Sequence, residues 1–231
     1  MSPSDALVPR RFFTADHHFG HDAILRYCRE TRPYADVAAM NEAFVDRWNA
    51  TVQPEDEVWH LGDVSMKVSF VEEWIPYLNG RKHLVLGNHD TNGKAMTEVR
   101  RERYLAAGFE TIAEKAVLDL NGVRFALCHY PYRVPERYQS NDPIVRADEL
   151  RSAERALVSG KHSEAALLHG HIHQHWLARK QPGRLPELNV GVDAWFGEPV
   201  SVERLLSLLT DVQRLGQDGT MSVYRQWSNQ P

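Results

Sequence analysis

Glu57-Val58-Trp59-His60-Leu61-Gly62-Asp63 is a short run of apolar and aromatic residues cut off by a Gly-Asp pair. Lys82-His83-Leu84-Val85-Leu86-Gly87-Asn88-His89-Asp90 repeats the design further along. Runs of this length bounded by turn residues read as strands. Between them, 70–78 carries apolar residues at helical spacing and ends at the turn Asn79-Gly80, so the stretch reads strand, helix, strand. Its aspartates, asparagine and histidines fall just past strand ends, where several such segments can converge on one rim of a sheet.

The same pattern extends outward in both directions. Arg11-Phe12-Phe13-Thr14-Ala15 reads as a first buried strand leading into Asp16-His17-His18. Helices are expected over 22–32, where Ile24, Leu25 and Cys28 hold helical spacing, and over 37–49, with Val37, Met40, Ala43, Phe44 and Trp48 as the apolar stripe. A further helix is expected over 93–107. Val117–Leu120 and Val123–Leu127 flank Asn121-Gly122, a strong hairpin signal, and the second arm ends at Cys128-His129. A loop over 130–145 and a helix over 146–159 precede strand Ala165–Leu168, which runs into His169-Gly170-His171-Ile172-His173. Strands near 175–179 and 187–192, a helix over 202–215 and a last strand over 221–227 complete the reading. Alternating strands and helices followed by hairpin strands predict an α/β fold: a four-layer sandwich of two mixed β-sheets flanked by helices.

The chain has 231 residues, 42% hydrophobic and 25% charged, enough for a sizeable core. With no linker-like segment it reads as one domain, its motifs spanning 12–196 and 197–231 forming a C-terminal helix and tail. A net charge of -4 without any long basic block argues against a broad duplex nucleic-acid surface. Neither a signal peptide nor a membrane span of roughly 20 apolar residues is visible, so a soluble cytoplasmic protein without membrane contact is expected. Two cysteines, Cys28 and Cys128, are too few for a disulfide framework or a cysteine zinc site and read as packing residues. The twelve histidines cluster instead in the strand-end motifs.

Asp16 and His18, two apart, project to one side of an extended backbone, with His17 on the other. Asp63 has two oxygens with which to span two ions at the ~3.5 to 4 Å separation of dinuclear hydrolases. Asn88 offers a carboxamide oxygen, His89 can face a substrate, and Asp90 can orient it. His129, His171 and His173 complete the set. Donors of these kinds suit manganese, iron or zinc better than calcium. Each piece has an ordinary reading by itself: Gly62-Asp63 as a turn, His129 as a core histidine.

In this order and placement, Asp-x-His, Gly-Asp, Gly-Asn-His-Asp, a strand-end histidine and Gly-His-x-His resemble the calcineurin-like metallophosphoesterase superfamily. Leu127-Cys128-His129-Tyr130-Pro131 and Asn189-Val190-Gly191-Val192-Asp193-Ala194-Trp195 are similar to a small bacterial and phage-type branch of it. The resemblance implies the metallo-dependent phosphatase fold and two divalent ions. Asp16, His18 and His173 would hold the first ion, Asn88, His129 and His171 the second, with Asp63 between them. It also implies attack on phosphorus by a hydroxide bridging the ions, with His89 as the general acid and a phosphodiester or small nucleotide as the substrate. Gly62-Asp63-Val64-Ser65-Met66-Lys67-Val68 lacks the arginine found in the phosphoprotein phosphatases, and position 90 is Asp instead of Glu, which points away from a protein substrate.

Two other readings stay open at this stage. One is a non-catalytic metal-binding scaffold; the other is a mononuclear zinc hydrolase acting on a carbonyl. His17 and His21 read as surface or helix-start residues with a possible reach to substrate, and His169 and His175 as structural. Tyr132, Arg133, Arg137 and Tyr138 offer stacking and phosphate contacts within an otherwise ordinary loop, and Trp195 and Phe196 read as core or interface.

Overall fold

Alternation along single strands sets the layers. In the computed structural model, which describes residues 9–132, 164–215 and 219–222, strand β1 (Arg11–Thr14) sends Phe12 to one face and Phe13 to the other. β1 pairs in parallel with β2 (Glu57–His60), which pairs with β3 (Arg81–Val85) and that with β4 (Phe109–Ala113). A two-residue antiparallel edge, β10 (Val200–Ser201), closes the other side of β1. The second sheet has the order β11-β8-β9-β7-β6-β5. Its strands are β5 (Ala116–Leu120), β6 (Val123–Leu127), β7 (Glu164–His169), β8 (Trp176–Arg179), β9 (Glu187–Asn189) and β11 (Thr220–Ser222). β6, β7 and β9 run parallel and the remaining pairings are antiparallel. Both sheets are therefore mixed.

Phe13, Leu61 and Val85 meet Phe125, Leu127, Ala166, Leu168 and Leu188 in the core between the sheets. On the opposite face of the first sheet, Phe12, Val58 and Leu84 pack on Met40, Phe44 and Trp48 of α2 (Val37–Thr51), Val71 of α3 (Val68–Trp74) and Tyr104 of α5 (Glu98–Ala107). The outer face of the second sheet presents Ala126, Cys128 and Leu167 beneath Tyr132. Helix α6 (Val202–Gln213) seals the inter-sheet core with Leu205, Leu208, Leu209 and Val212. This is the expected sandwich of two mixed sheets with flanking helices. The helix expected over 146–159, Arg133, Arg137 and Tyr138 of the preceding loop, and the end of the last strand lie outside the described residues.

The elements differ from expectation where local pattern is weak. The helix expected over 22–32 is one turn, α1 (Ile24–Tyr27), because Thr31 and Arg32 turn their side chains inward. The segment 93–107 is helical only from Glu98, where Thr97 accepts a capping bond from Arg100 N. The Asn88–Thr91 stretch forms a separate one-turn helix, α4. β4 was not expected, and its burial shows no clean alternation. Among the described residues no helix is long and apolar enough to cross a membrane. Asp16 follows β1, Asp63 follows β2, Asn88 follows β3, His129 follows β6, and His171 and His173 follow β7, so both sheets deliver their strand ends to one rim.

Candidate metal centre

Past the ends of β1, β2 and β7 the backbone enters the left-handed region. Asp16, His18, Asp63, His171 and His173 have φ of 65°, 53°, 58°, 75° and 43°, and they are five of the eight non-glycine residues with positive φ among the described residues. Asp16 and His18 thus converge through consecutive tight bends and not through the pleat of an extended strand. Such conformations cost on the order of 1 to 2 kcal/mol each and persist only where surrounding bonds impose them. Here Asp16 N donates to Gly62 O at 2.9 Å, His18 N to Asp63 O at 3.1 Å and Phe19 N to Val64 O at 2.9 Å. The loops pack so closely that glycine is required. A Cβ on Gly62 would lie 2.4 Å from Gly87 N, and one on Gly170 would lie 2.5 Å from Asp16 Oδ2.

Asp16, His18 and His173 bring ligand atoms within 4.8 Å of one another. The two carboxylate oxygens of Asp16 accept from His171 N at 3.0 and 2.9 Å, and burial lifts its pKa to about 6. Both ring nitrogens of His18 are buried without a hydrogen-bond partner, and burial keeps the ring neutral, well below the usual histidine range. His173 Nδ1 sits 2.7 Å from Asp193 Oδ2, the carboxylate-histidine arrangement that fixes a ligating ring.

Asp63, His129 and His171 form a second such group. His129 Nδ1 donates to Leu61 O at 2.7 Å. Its Nε2 is 3.2 Å from Asn88 Oδ1, 3.1 Å from His171 Nδ1 and 3.3 Å from Asp63 Oδ2. One ring nitrogen thereby faces three potential acceptors, an arrangement that a single proton cannot satisfy and a cation can. Burial pushes the His129 pKa down, but the Asp63 carboxylate outweighs it and lifts the ring to about 9. Asp63 uses Oδ1 to accept from His89 N at 2.9 Å, so Oδ2 alone faces both groups, 3.5 Å from His18 Nε2. The buried orphan nitrogens of His18 and the crowded acceptors around His129 fit divalent metal binding.

His89 stands beside these groups, its ring centroid 5.1 Å from that of His18 and its side chain one-third exposed. Asp90 does not orient it. Because α4 starts at Asn88, Asp90 is the third residue of a helix and reaches back to Gly87 N at 2.9 Å, as carboxylates at that position do. It also accepts from Asp63 N at 2.8 Å and Val64 N at 3.0 Å. Fully buried, with its pKa raised to about 6 by burial and then by Asp63, it staples the loop after β2 to the loop after β3.

The sequence profile described as a calcineurin-like phosphoesterase superfamily domain matches residues 16–199. The chain belongs to the calcineurin-like phosphoesterase superfamily, and with that family it is a metal-dependent phosphoester hydrolase. An uncharacterised protein of Methanocaldococcus jannaschii is 26% identical over 204 residues, covering 86% of this chain and 90% of its own. The gene 66 protein of Mycobacterium phage L5 is 28% identical over 218 residues, covering 87% and 94%. The crystal structure of a protein of unknown function from Aquifex aeolicus shares the fold, with a TM-score of 0.63, 23% identity and coverage of 87% of this chain and all of that one.

Behind the phosphoesterase motifs lies a support that the sequence reading missed. Arg32, 1% exposed, donates from Nε and Nη2 to the two oxygens of Asp193 at 2.9 and 2.7 Å, and on to Asp16 O at 2.6 Å and His17 O at 3.0 Å. Burial pushes the Asp193 pKa up, but Arg32 and His173 hold it well below the usual carboxylate range. In the sequence Asp193 stands out only within a motif of the branch, and Arg32 only as the end of an expected helix. Their 161-residue separation leaves no local signal.

His17 points away from the cluster, as expected, but it is fully buried and off the cleft, so neither the surface role nor the reach to substrate holds. It lies against Phe19, Phe44 and Trp48 with Nδ1 2.9 Å from His60 Nε2. His169 is likewise buried off the site. A cleft of about 970 Å³ opens over the metal centre, and His21 and His175 line it beside His89 and His173. The reading of His175 as structural therefore gives way to a place on the cleft wall. Trp195 donates to Asn189 O and packs on the inter-sheet core.

Proposed function

We propose that the chain cleaves a phosphodiester or a small nucleotide at a dinuclear centre loaded with manganese, iron or zinc. In this reading Asp16, His18 and His173 hold one ion, Asn88, His129 and His171 hold the other, and Asp63 spans them. The observation that carries it is the position of Asp63 Oδ2, 3.5 Å from His18 Nε2 in one group and 3.3 Å from His129 Nε2 in the other. When bound, two such cations polarise the phosphoryl oxygens and make water a nucleophile near neutral pH.

The chain's own residues do the rest. Asp16 and Asp63 offset only part of the charge of two divalent ions, so the centre retains attraction for an anionic phosphate. His89, beside Asp63 and open to the cleft, gives its proton to the leaving oxygen, a contribution of typically ~10² to 10⁴ in rate. Asp193 and Arg32 hold the His173 ring and the Asp16 backbone in place.

Metal titration and turnover test this together. The manganese-loaded protein is expected to bind two ions per chain and to hydrolyse bis(p-nitrophenyl) phosphate, and Asp63→Ala is expected to lose both the second ion and turnover. One ion per chain in the parent protein, or a fully loaded protein inert to phosphoesters, overturns the reading.

A further inference from the structure

The wall of the cleft formed by α1 and the residues after it carries groups that metal binding does not use. Tyr27 is 74% exposed, more than any other large apolar or aromatic side chain among the described residues, and it lines the cleft, as does Met66 at 37%. Arg26 and Arg29 flank it on the same wall, both exposed. Among the described residues neither meets a carboxylate, whereas Arg32, three positions on, is fully engaged. Glu30, the acid of this wall, faces His175 at 3.7 Å. A cleft of about 970 Å³ far exceeds what one phosphate fills.

Building on the phosphoesterase reading, we propose that Tyr27, Arg26 and Arg29 select the substrate. Tyr27 stacks on a nucleobase and the two guanidinium groups hold a phosphate other than the one cleaved, so the substrate is a short nucleotide diester with one additional phosphate. Stacking on an exposed aromatic tolerates any base, and the planar fork of arginine matches phosphate oxygens.

The test compares kcat/KM for 5′-phosphorylated thymidine dinucleotide and bis(p-nitrophenyl) phosphate in the manganese-loaded full chain. The ratio is expected to fall about tenfold in Tyr27→Ala and again about tenfold in the Arg26→Ala/Arg29→Ala double variant. Removing the 5′-phosphate from the dinucleotide should weaken the parent protein and leave the double variant indifferent, since the two changes delete one contact. Calorimetric binding of the phosphorylated dinucleotide to His89→Asn protein, with and without the wall substitutions, should weaken in parallel. Unchanged ratios, or a parent protein blind to the 5′-phosphate in both assays, overturn the assignment. A parent protein inert to both substrates sinks the hydrolase reading instead, and the binding measurement then decides the wall by itself.

Discussion

Arg32→Ala should both loosen the fold and weaken the metal centre. The guanidinium is buried and makes two bonds to Asp193 and one each to the carbonyls of Asp16 and His17. Truncation leaves the buried Asp193 carboxylate with only Thr31 and His173 and strands two carbonyl oxygens. Breaking a buried ion pair by removing one partner costs ~3 to 5 kcal/mol. For a chain of this length each kcal/mol shifts Tm by roughly 2 to 4 °C, so a fall of about 6 to 20 °C is expected by calorimetry of the metal-free protein. Lysine should not rescue it, because a single ammonium cannot bridge Asp193 and the Asp16 carbonyl together. Manganese titration should show affinity reduced roughly 10- to 100-fold, the usual loss when the partner that orients a ligating histidine is disturbed. A Tm within about 2 °C of the parent, with metal affinity intact, would refute the argument that Arg32 and Asp193 hold the centre together.

Three more outcomes follow from particular contacts. His89→Asn should keep both metal equivalents while turnover of an alkyl phosphodiester falls by ~10² or more, with a smaller loss for nitrophenyl esters, whose leaving group needs no proton; equal losses on both would remove His89 from the acid role. Gly170→Ala places a Cβ 2.5 Å from Ala15 Cβ and Asp16 Oδ2, and overpacking of this kind costs typically ~1 to 3 kcal/mol; a variant with parental Tm and metal stoichiometry would contradict the packing described. Asp56 offers a test remote from the metals. Burial pushes its pKa up, but hydrogen bonds from the Arg10 side chain and from the backbone of Gln53 and Arg10 leave it below the ordinary value of 3.8. A depressed carboxylate stabilises the fold above its unfolded pKa, and that stability is lost as pH falls through the folded value. The Tm gap between parent protein and Asp56→Asn should therefore be full at pH 7 and shrink below about pH 4; a gap that does not shrink on acidification would show that Asp56 does not contribute in this way.

Most of the sheet framework was legible because its strands alternate between two apolar layers, as Phe12 and Phe13 do. The hairpin at Asn121-Gly122 was equally plain, both residues having positive φ. What escaped was set by distant contacts. The helix expected over 22–32 stops early because Thr31 and Arg32 are drawn to Asp193. β4 exists because β3 offers it a parallel edge. In the site, Asp16, His18, Asp63, His171 and His173 could be singled out by residue type and spacing, but their left-handed backbone could not, since such conformations are imposed by neighbouring loops. Asp90 was misread because a four-residue helix has too few positions to show periodicity, and its carboxylate is aimed by that helix.

The two groups of candidate ligands also tie the sheets to each other. Asp16, His18, Asp63 and Asn88 follow strands of the first sheet, whereas His129, His171 and His173 follow strands of the second, and each group draws from both. The backbone already bridges the seam, with His171 N on Asp16 and the His129 ring on Leu61 O. Cations placed there would clamp the inter-sheet core from its rim, and conversely the stacking of Phe13, Leu61 and Val85 on Leu127 and Leu168 sets the distance between ligands. A close-packed core resists sliding by fractions of an ångström, and coordination demands tolerances of that order. The inter-sheet layer, more than the layer under α2, is therefore the part of the hydrophobic core through which remote substitutions would reach the metal centre.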